Sequence, residues 1–128
     1  EKAYCCFYST AKDFAKIGKL YMDKGQWNGH TLVPFNYVKE PISRNGCIDE
    51  DGNPVDYYGY HWGLMDFNEH NIFYSRGILG QYIIVIPDEH IIIVRLGKIR
   101  GEKNKKNQYS DMVAYSDGVL IIFRSGIK

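Results

Sequence analysis

No apolar run in this sequence is long enough to cross a bilayer, which excludes a membrane-spanning helix. Net charge is almost absent: 16 lysines and arginines face 15 acids, for a formal +1. That balance excludes the strongly basic footprint of a nucleic-acid-binding chain. Cysteine is scarce and odd in number, with only Cys5, Cys6 and Cys47 and no C-x-x-C pair. This argues against a zinc site and against a disulfide scaffold. One bridge from Cys5 or Cys6 to Cys47 remains an alternative, with buried free thiols the expected state. No charged-then-apolar leader opens the chain, but processing removes leaders, so the compartment is not fixed by this. No internal repeat occurs.

The 128 residues suffice for one domain with a real core. Hydrophobic residues make up 45% and aromatics 15%, including eleven tyrosines and two tryptophans. This is a globular composition whose aromatic content fits packing or an aromatic-lined cleft.

Residues 10–24 read as an amphipathic helix. Phe14, Ile17 and Tyr21 recur at three- and four-residue spacing, and Lys12, Lys16 and Lys19 recur opposite. Thr10 with Asp13 fits a capping box, and Gly25 closes the element. GQWNGHTLVP reads as loop, and LVPFNYVKEPIS as holding a short helix. Residues 44–56 are dense in turn residues. Asp49 and Asp51 lie there, but their spacing does not complete an EF-hand loop, and no metal or other cofactor is expected. From Tyr57 the pattern turns to strands: YYGYHWGLMDF, NIFYSRG, QYIIVIP and HIIIVRLG, the last two flanking the turn at Pro87–Glu89. The last pair is apolar at nearly every position, so both sheet faces should be covered. GKIRGEKNKKNQ carries five basic residues and one acid without interleaved aromatics, the mark of a solvated loop. Ser110–Gly126 reads as a helix through Met112, Tyr115, Val119, Ile122 and Phe123, despite its strand-like VLIIF run.

Ser9 and Lys12 form an S-x-x-K, which on a helix pairs a hydroxyl with an amine one turn away. A basic lysine must shed its proton from a reference pKa of about 10.4. Lys12 instead belongs to the solvated lysine stripe, so the motif reads as a helix start rather than a catalytic pair.

Three stretches together resemble one family. STAKDFAKIGKLYMDKGQWNG is similar to the helix and Gly-x-Trp-x-Gly loop that serine hydrolases of the class C β-lactamase type carry downstream of their nucleophile. YYGYHWG is similar to the aromatic strand that follows. FYSRGILGQYIIVIPDEHIIIVRLGK resembles the strand of the third active-site motif and its hairpin. The pattern is nearest the branch of esterases, D-amino-acid amidases and amide-oligomer hydrolases. The resemblance implies that the nucleophilic S-x-x-K and a Tyr-x-Asn-like element lie upstream; no Tyr-x-Asn occurs here. The chain then looks like the C-terminal part of such an enzyme, acting on a small ester or amide, inactive alone and in need of an N-terminal segment or self-association.

By the same resemblance, Ser75-Arg76-Gly77 aligns with the family's Lys-Thr-Gly or His-x-Gly triplet, and the backbone N–H of Ile78 would be one oxyanion-hole donor. Ser75, Arg76 and Gly77, with Tyr60 and Trp62, would face substrate. Ser75 and Arg76 depart from the family's residues, which favours esterase or amidase over β-lactamase chemistry. Tyr60 and Trp62 also read as sheet-packing residues, and His61 has no neighbouring serine or acid. The resemblance implies a bacterial chain in the periplasm or cell envelope. Two alternatives stand beside this reading. One is a non-catalytic binding module that keeps the family sheet; the other is a reduced active site built on Ser9 and Lys12. The expected fold is α+β: an antiparallel sheet of three or four strands, the first and last helices on one face, and an exposed sheet edge and apolar face.

Overall fold

The computed structural model describes residues 7–104 and 107–126. Cys5 and Cys6, the partners of the disulfide alternative, lie outside the described residues; Cys47 is exposed rather than buried.

Helix α1 spans Ala11–Met22. Thr10 caps it by accepting the Asp13 N–H at 3.2 Å, as the capping box requires. Asp23 ends it, and the Gly25 N–H returns to the Leu20 carbonyl. Gly25 sits at φ +84° with the Val33 carbonyl 2.1 Å from where a Cβ would stand, so only glycine fits. The stretch read as loop then folds into a hairpin, β1 (Gln26–Trp27) against β2 (His30–Thr31). Its turn is Asn28-Gly29, both at positive φ, the combination that a two-residue hairpin favours. Helix α2 (Phe35–Lys39) and a 3-10 turn (Glu40–Ile42) follow.

Four strands make the main sheet in sequential antiparallel order: β3 (Gly63–Phe67), β4 (His70–Arg76), β5 (Gln81–Ile86) and β6 (Ile91–Leu96). The turn at Pro87–Glu89 is one 3-10 turn closed by His90 at φ +54°. Helix α3 runs from Ser110 to Arg124, within the span read as helical. The expected α+β class and strand count hold. Among the described residues no helix is long and apolar enough to cross a membrane.

The placement of the helices differs from expectation: they lie on opposite faces of the sheet. Tyr82, Ile84 and Ile86 point to the face covered by α3 through Met112 and Leu120. Ile83 and Val85, between them, point to the other face, where Phe14, Ile17 and Tyr21 of α1 pack. A strand apolar at every position has two faces to bury, and one helix per face achieves it. The chain therefore covers both faces itself, contrary to the exposed face expected. Close packing of α1 depends on Gly18, whose missing Cβ would meet methyls of Ile83, Val85 and Ile92 at 3.0–3.2 Å.

The expected open edge is present at β6, which among the described residues pairs with β5 alone. Helix α3 also keeps apolar residues outside: Tyr115, Ile121, Ile122 and Phe123 are all exposed. Its buried line is Met112, Ser116 and Leu120, one polar residue among two apolar ones. Ser116 tolerates full burial because its hydroxyl donates to the Met112 carbonyl at 3.0 Å.

Candidate functional site

The strand register brings three segments to one end of the sheet. Gly63 begins β3 opposite Tyr74 near the end of β4. Gln81 begins β5 opposite Leu96 at the end of β6. The loop Tyr57–Trp62, the turn Gly77–Gly80 and the segment after Leu96 therefore share that end.

The Gly77–Gly80 turn is defined by its hydrogen bonds. The Gly77 N–H donates to the Gln81 carbonyl at 2.8 Å, and the Gly80 N–H donates to the Gly77 carbonyl at 3.3 Å. The Leu79 N–H donates to the Gln81 side-chain Oε1 at 3.1 Å. No described residue accepts from the Ile78 N–H, and Ile78 is 78% exposed. Three of the turn's four donors are thus satisfied within the chain, and the remaining one is the amide singled out from sequence.

The other sequence-derived residues divide. Ser75 lies on the α1 face of β4 with Phe73, half-buried. Arg76 points to the opposite face, its guanidinium 5.2 Å from the Tyr109 ring centre and 3.5 Å from the Asn107 carbonyl. The alternation of side chains along a strand separates the two. Tyr60 is exposed, in a loop tied to the Pro41 carbonyl through its own N–H. Trp62 is not at an open surface: it is 5% exposed and packs edge-on against Phe73, with Tyr21 at 4.6 Å. Its placement among substrate-facing residues is corrected to a core role, because an indole beside two rings gains more from their contact than from solvent.

The Ser9–Lys12 motif stays a helix start. The Ser9 hydroxyl donates to Asp13 at 2.9 Å, and Lys16, not Lys12, forms the ion pair with Asp13 at 2.7 Å. Bonds from Lys16, Thr10 and Ser9 hold the Asp13 carboxyl well below the usual carboxylate range. Asp49 accepts the backbone N–H groups of Asp51 and Asn53, an arrangement that organises its loop.

Sequence reading passed over a polar cluster behind the turn. Tyr82 donates to Asp111 at 3.0 Å, and Arg95 lies 3.4 Å from the same carboxylate. Arg95 also stacks on the rings of Tyr82 and Tyr115. Tyr82, Arg95 and Asp111 lie 13 to 29 positions apart, too far for any local pattern to join them. Burial, and then the bond to Asp111, push the Tyr82 phenol well above its ordinary value. A phenol raised in the folded state contributes stability that is complete below its unfolded value of 10.0 and lost as pH rises beyond it. Urea midpoints should therefore fall above pH 10, and fall less steeply in Tyr82→Phe.

A separate cleft of about 620 Å³ lies beside β3, lined by Arg44, Asp56, Asp66, Lys103 and Gln108 among others. None of Ser75–Ile78, Tyr60 or Trp62 lines it.

No family model matches the chain, and no curated protein matches it. Among solved structures, the fold is shared with a protein from Bacillus anthracis that carries the name 6-aminohexanoate-dimer hydrolase. The two superpose with a TM-score of 0.62 at 22% identity, over 89% of this chain and 28% of that one. This chain thus spans less than a third of that protein's length, and at this identity the likeness is one of fold: an antiparallel sheet carrying helices, as found in a hydrolase-named chain.

Proposed function

We propose that this chain is the C-terminal part of a β-lactamase-like serine hydrolase acting on small esters or amides. It contributes the third-motif strand and one oxyanion-hole donor, while the nucleophile belongs to polypeptide outside these 128 residues. The observation that carries this reading is the Ile78 N–H, which no described residue pairs in an otherwise satisfied turn. Acyl transfer builds negative charge on the former carbonyl oxygen, and a fixed backbone N–H stabilises that charge without reorganising. Gly77 beside it lets substrate approach the strand closely. Tyr60 and Ser75 flank the approach; Arg76, turned to the other face, steadies the 107–109 segment.

The open β6 edge and the exposed apolar residues of α3 support further polypeptide packing here, either the N-terminal part or a second copy. The name of the Bacillus anthracis protein supports amide-oligomer hydrolysis as the substrate class. An envelope location accompanies the reading through the family resemblance.

The test is co-expression with the polypeptide encoded directly upstream, assayed on p-nitrophenyl esters and on short amide dimers. The expected result is turnover by the pair and none by either part. An upstream region that encodes no S-x-x-K, or a pair without turnover, would count against it.

The polar cleft beside β3 favours a second reading, a non-catalytic binding module. Binding of small ligands by the isolated chain that perturbs Arg44 and Asp66 but not Ile78 would support that module instead.

A further inference from the structure

The turn whose Ile78 N–H is paired by no described residue is held from beneath by two long polar side chains. The Gln81 carboxamide accepts the Leu79 N–H at 3.1 Å through Oε1 and donates to the Gly97 carbonyl at 2.9 Å through Nε2. Acceptor and donor are used on the correct sides, so the amide orientation follows from the chemistry. The Arg95 guanidinium donates to the Gly80 carbonyl through Nη1, and the same nitrogen lies 3.4 Å from the Asp111 carboxylate of α3.

Three glycines stand where these side chains run. A Cβ at Gly77 would lie 2.3 Å from Gln81 Oε1. One at Gly80, which also sits at φ +80°, would lie 2.3 Å from Arg95 Nη1, and one at Gly97 would lie 2.2 Å from the same atom. A Cβ at Gly77 would therefore push the Gln81 carboxamide from its place against the turn. Without Gln81 Oε1 the Leu79 N–H would lose its partner, and a turn with two unpaired donors has no reason to keep one orientation.

We propose that Gln81 and Arg95 are positioning residues. They brace the Gly77–Gly80 turn against the Gly97 segment and α3, so that Leu79 is satisfied internally and Ile78 presents its N–H to a ligand oxygen. The ligand role rests on the hydrolase reading; the brace does not.

The test is residue-resolved amide hydrogen exchange on the full ¹⁵N-labelled chain, free of substrate. In the native chain Leu79 should exchange about fivefold to tenfold more slowly than Ile78, the protection one hydrogen bond confers. Gln81→Leu should abolish that difference while Ile84 and Val85 in the core keep their rates. Gln81→Glu, which keeps an acceptor oxygen, should retain the Leu79 protection. Gly77→Ala approaches the same contact from the other partner, so it serves if Gln81→Leu fails to fold: the added methyl displaces the carboxamide, and Leu79 should lose its protection. Arg95→Met should raise the exchange rate of Gly80 and Leu79 together. Equal native rates for Ile78 and Leu79, or Leu79 protection surviving in both Gln81→Leu and Gly77→Ala, would overturn the brace.

In the assembled hydrolase, Gln81→Leu should lower kcat with KM unchanged, and Gln81→Glu should restore most of it. The expected exchange pattern with an unaltered kcat would leave the brace standing and remove the oxyanion role instead.

Discussion

On the proposed function, Ile78→Pro should lower kcat of the chain paired with its upstream polypeptide by about 10²–10³-fold, the effect expected for deleting one oxyanion donor, while leaving the fold of this chain intact. A backbone N–H is deleted by no other coded substitution. Proline is usually costly because it removes a donor that the structure uses, but here no described residue accepts that hydrogen. Position 78 is the second residue of a turn in which the Gly80 N–H returns to the Gly77 carbonyl, the place where proline's fixed φ is most readily accommodated. The residue before it is glycine, which tolerates the restriction that a following proline imposes. Ile78→Ala is the control and should be neutral, since the side chain is exposed. Loss of KM rather than kcat in Ile78→Pro would mean that the amide binds ground state and transition state alike. Full activity in Ile78→Pro would remove the amide from the mechanism.

A large stability effect is expected at Gly63, where β3 meets β4. The Tyr74 ring lies across Gly63, and a Cβ there would stand 2.2 Å from the ring. Tyr74 is 2% exposed, so the ring has nowhere to go without opening the cluster beneath α3. Gly63→Ala should therefore cost about 3 kcal/mol, the upper part of the usual overpacking range, and lower Tm by roughly 10 °C for a domain of this size. The aromatic ring gains cover from a bare backbone position, which explains a glycine inside a strand otherwise rich in large residues. Thermal unfolding of Gly63→Ala measures this directly. A Tm within about 2 °C of the parent would show that the strand pair yields more readily than the packing implies.

Much of this architecture was legible because its causes are local. Thr10 and Asp13 announce the start of α1, and Pro87–Glu89 announces the turn between β5 and β6. Asn28-Gly29 announced a hairpin just as clearly, yet it sits between strands of two residues each, too short to show alternation. Helix α3 was legible as a helix but not in its orientation. Sequence favoured burial of Tyr115, Ile122 and Phe123, whereas the buried line includes Ser116, which satisfies its hydroxyl on its own helix. Nor could sequence assign the helices to faces: β5 is apolar on both, so either helix fits either side by composition alone. At the site, the Gly77-Ile78 pair could be named through family resemblance. The roles of Gln81 and Arg95 could not, because each reaches a carbonyl that sequence leaves distant, Gly97 from Gln81 and Gly80 from Arg95.

On the proposed function, the chain helps stabilise developing charge while its described residues supply no activated attacking group. Incubation of the full chain with a fluorophosphonate probe, beside Ser9→Ala, tests that most directly. The expected result is no covalent labelling of either protein, with Ser9 occupied by its bond to Asp13. Labelling of the native chain that disappears in Ser9→Ala would contradict it, and would make the pairing of Ser9 with Lys12 a working nucleophile after all.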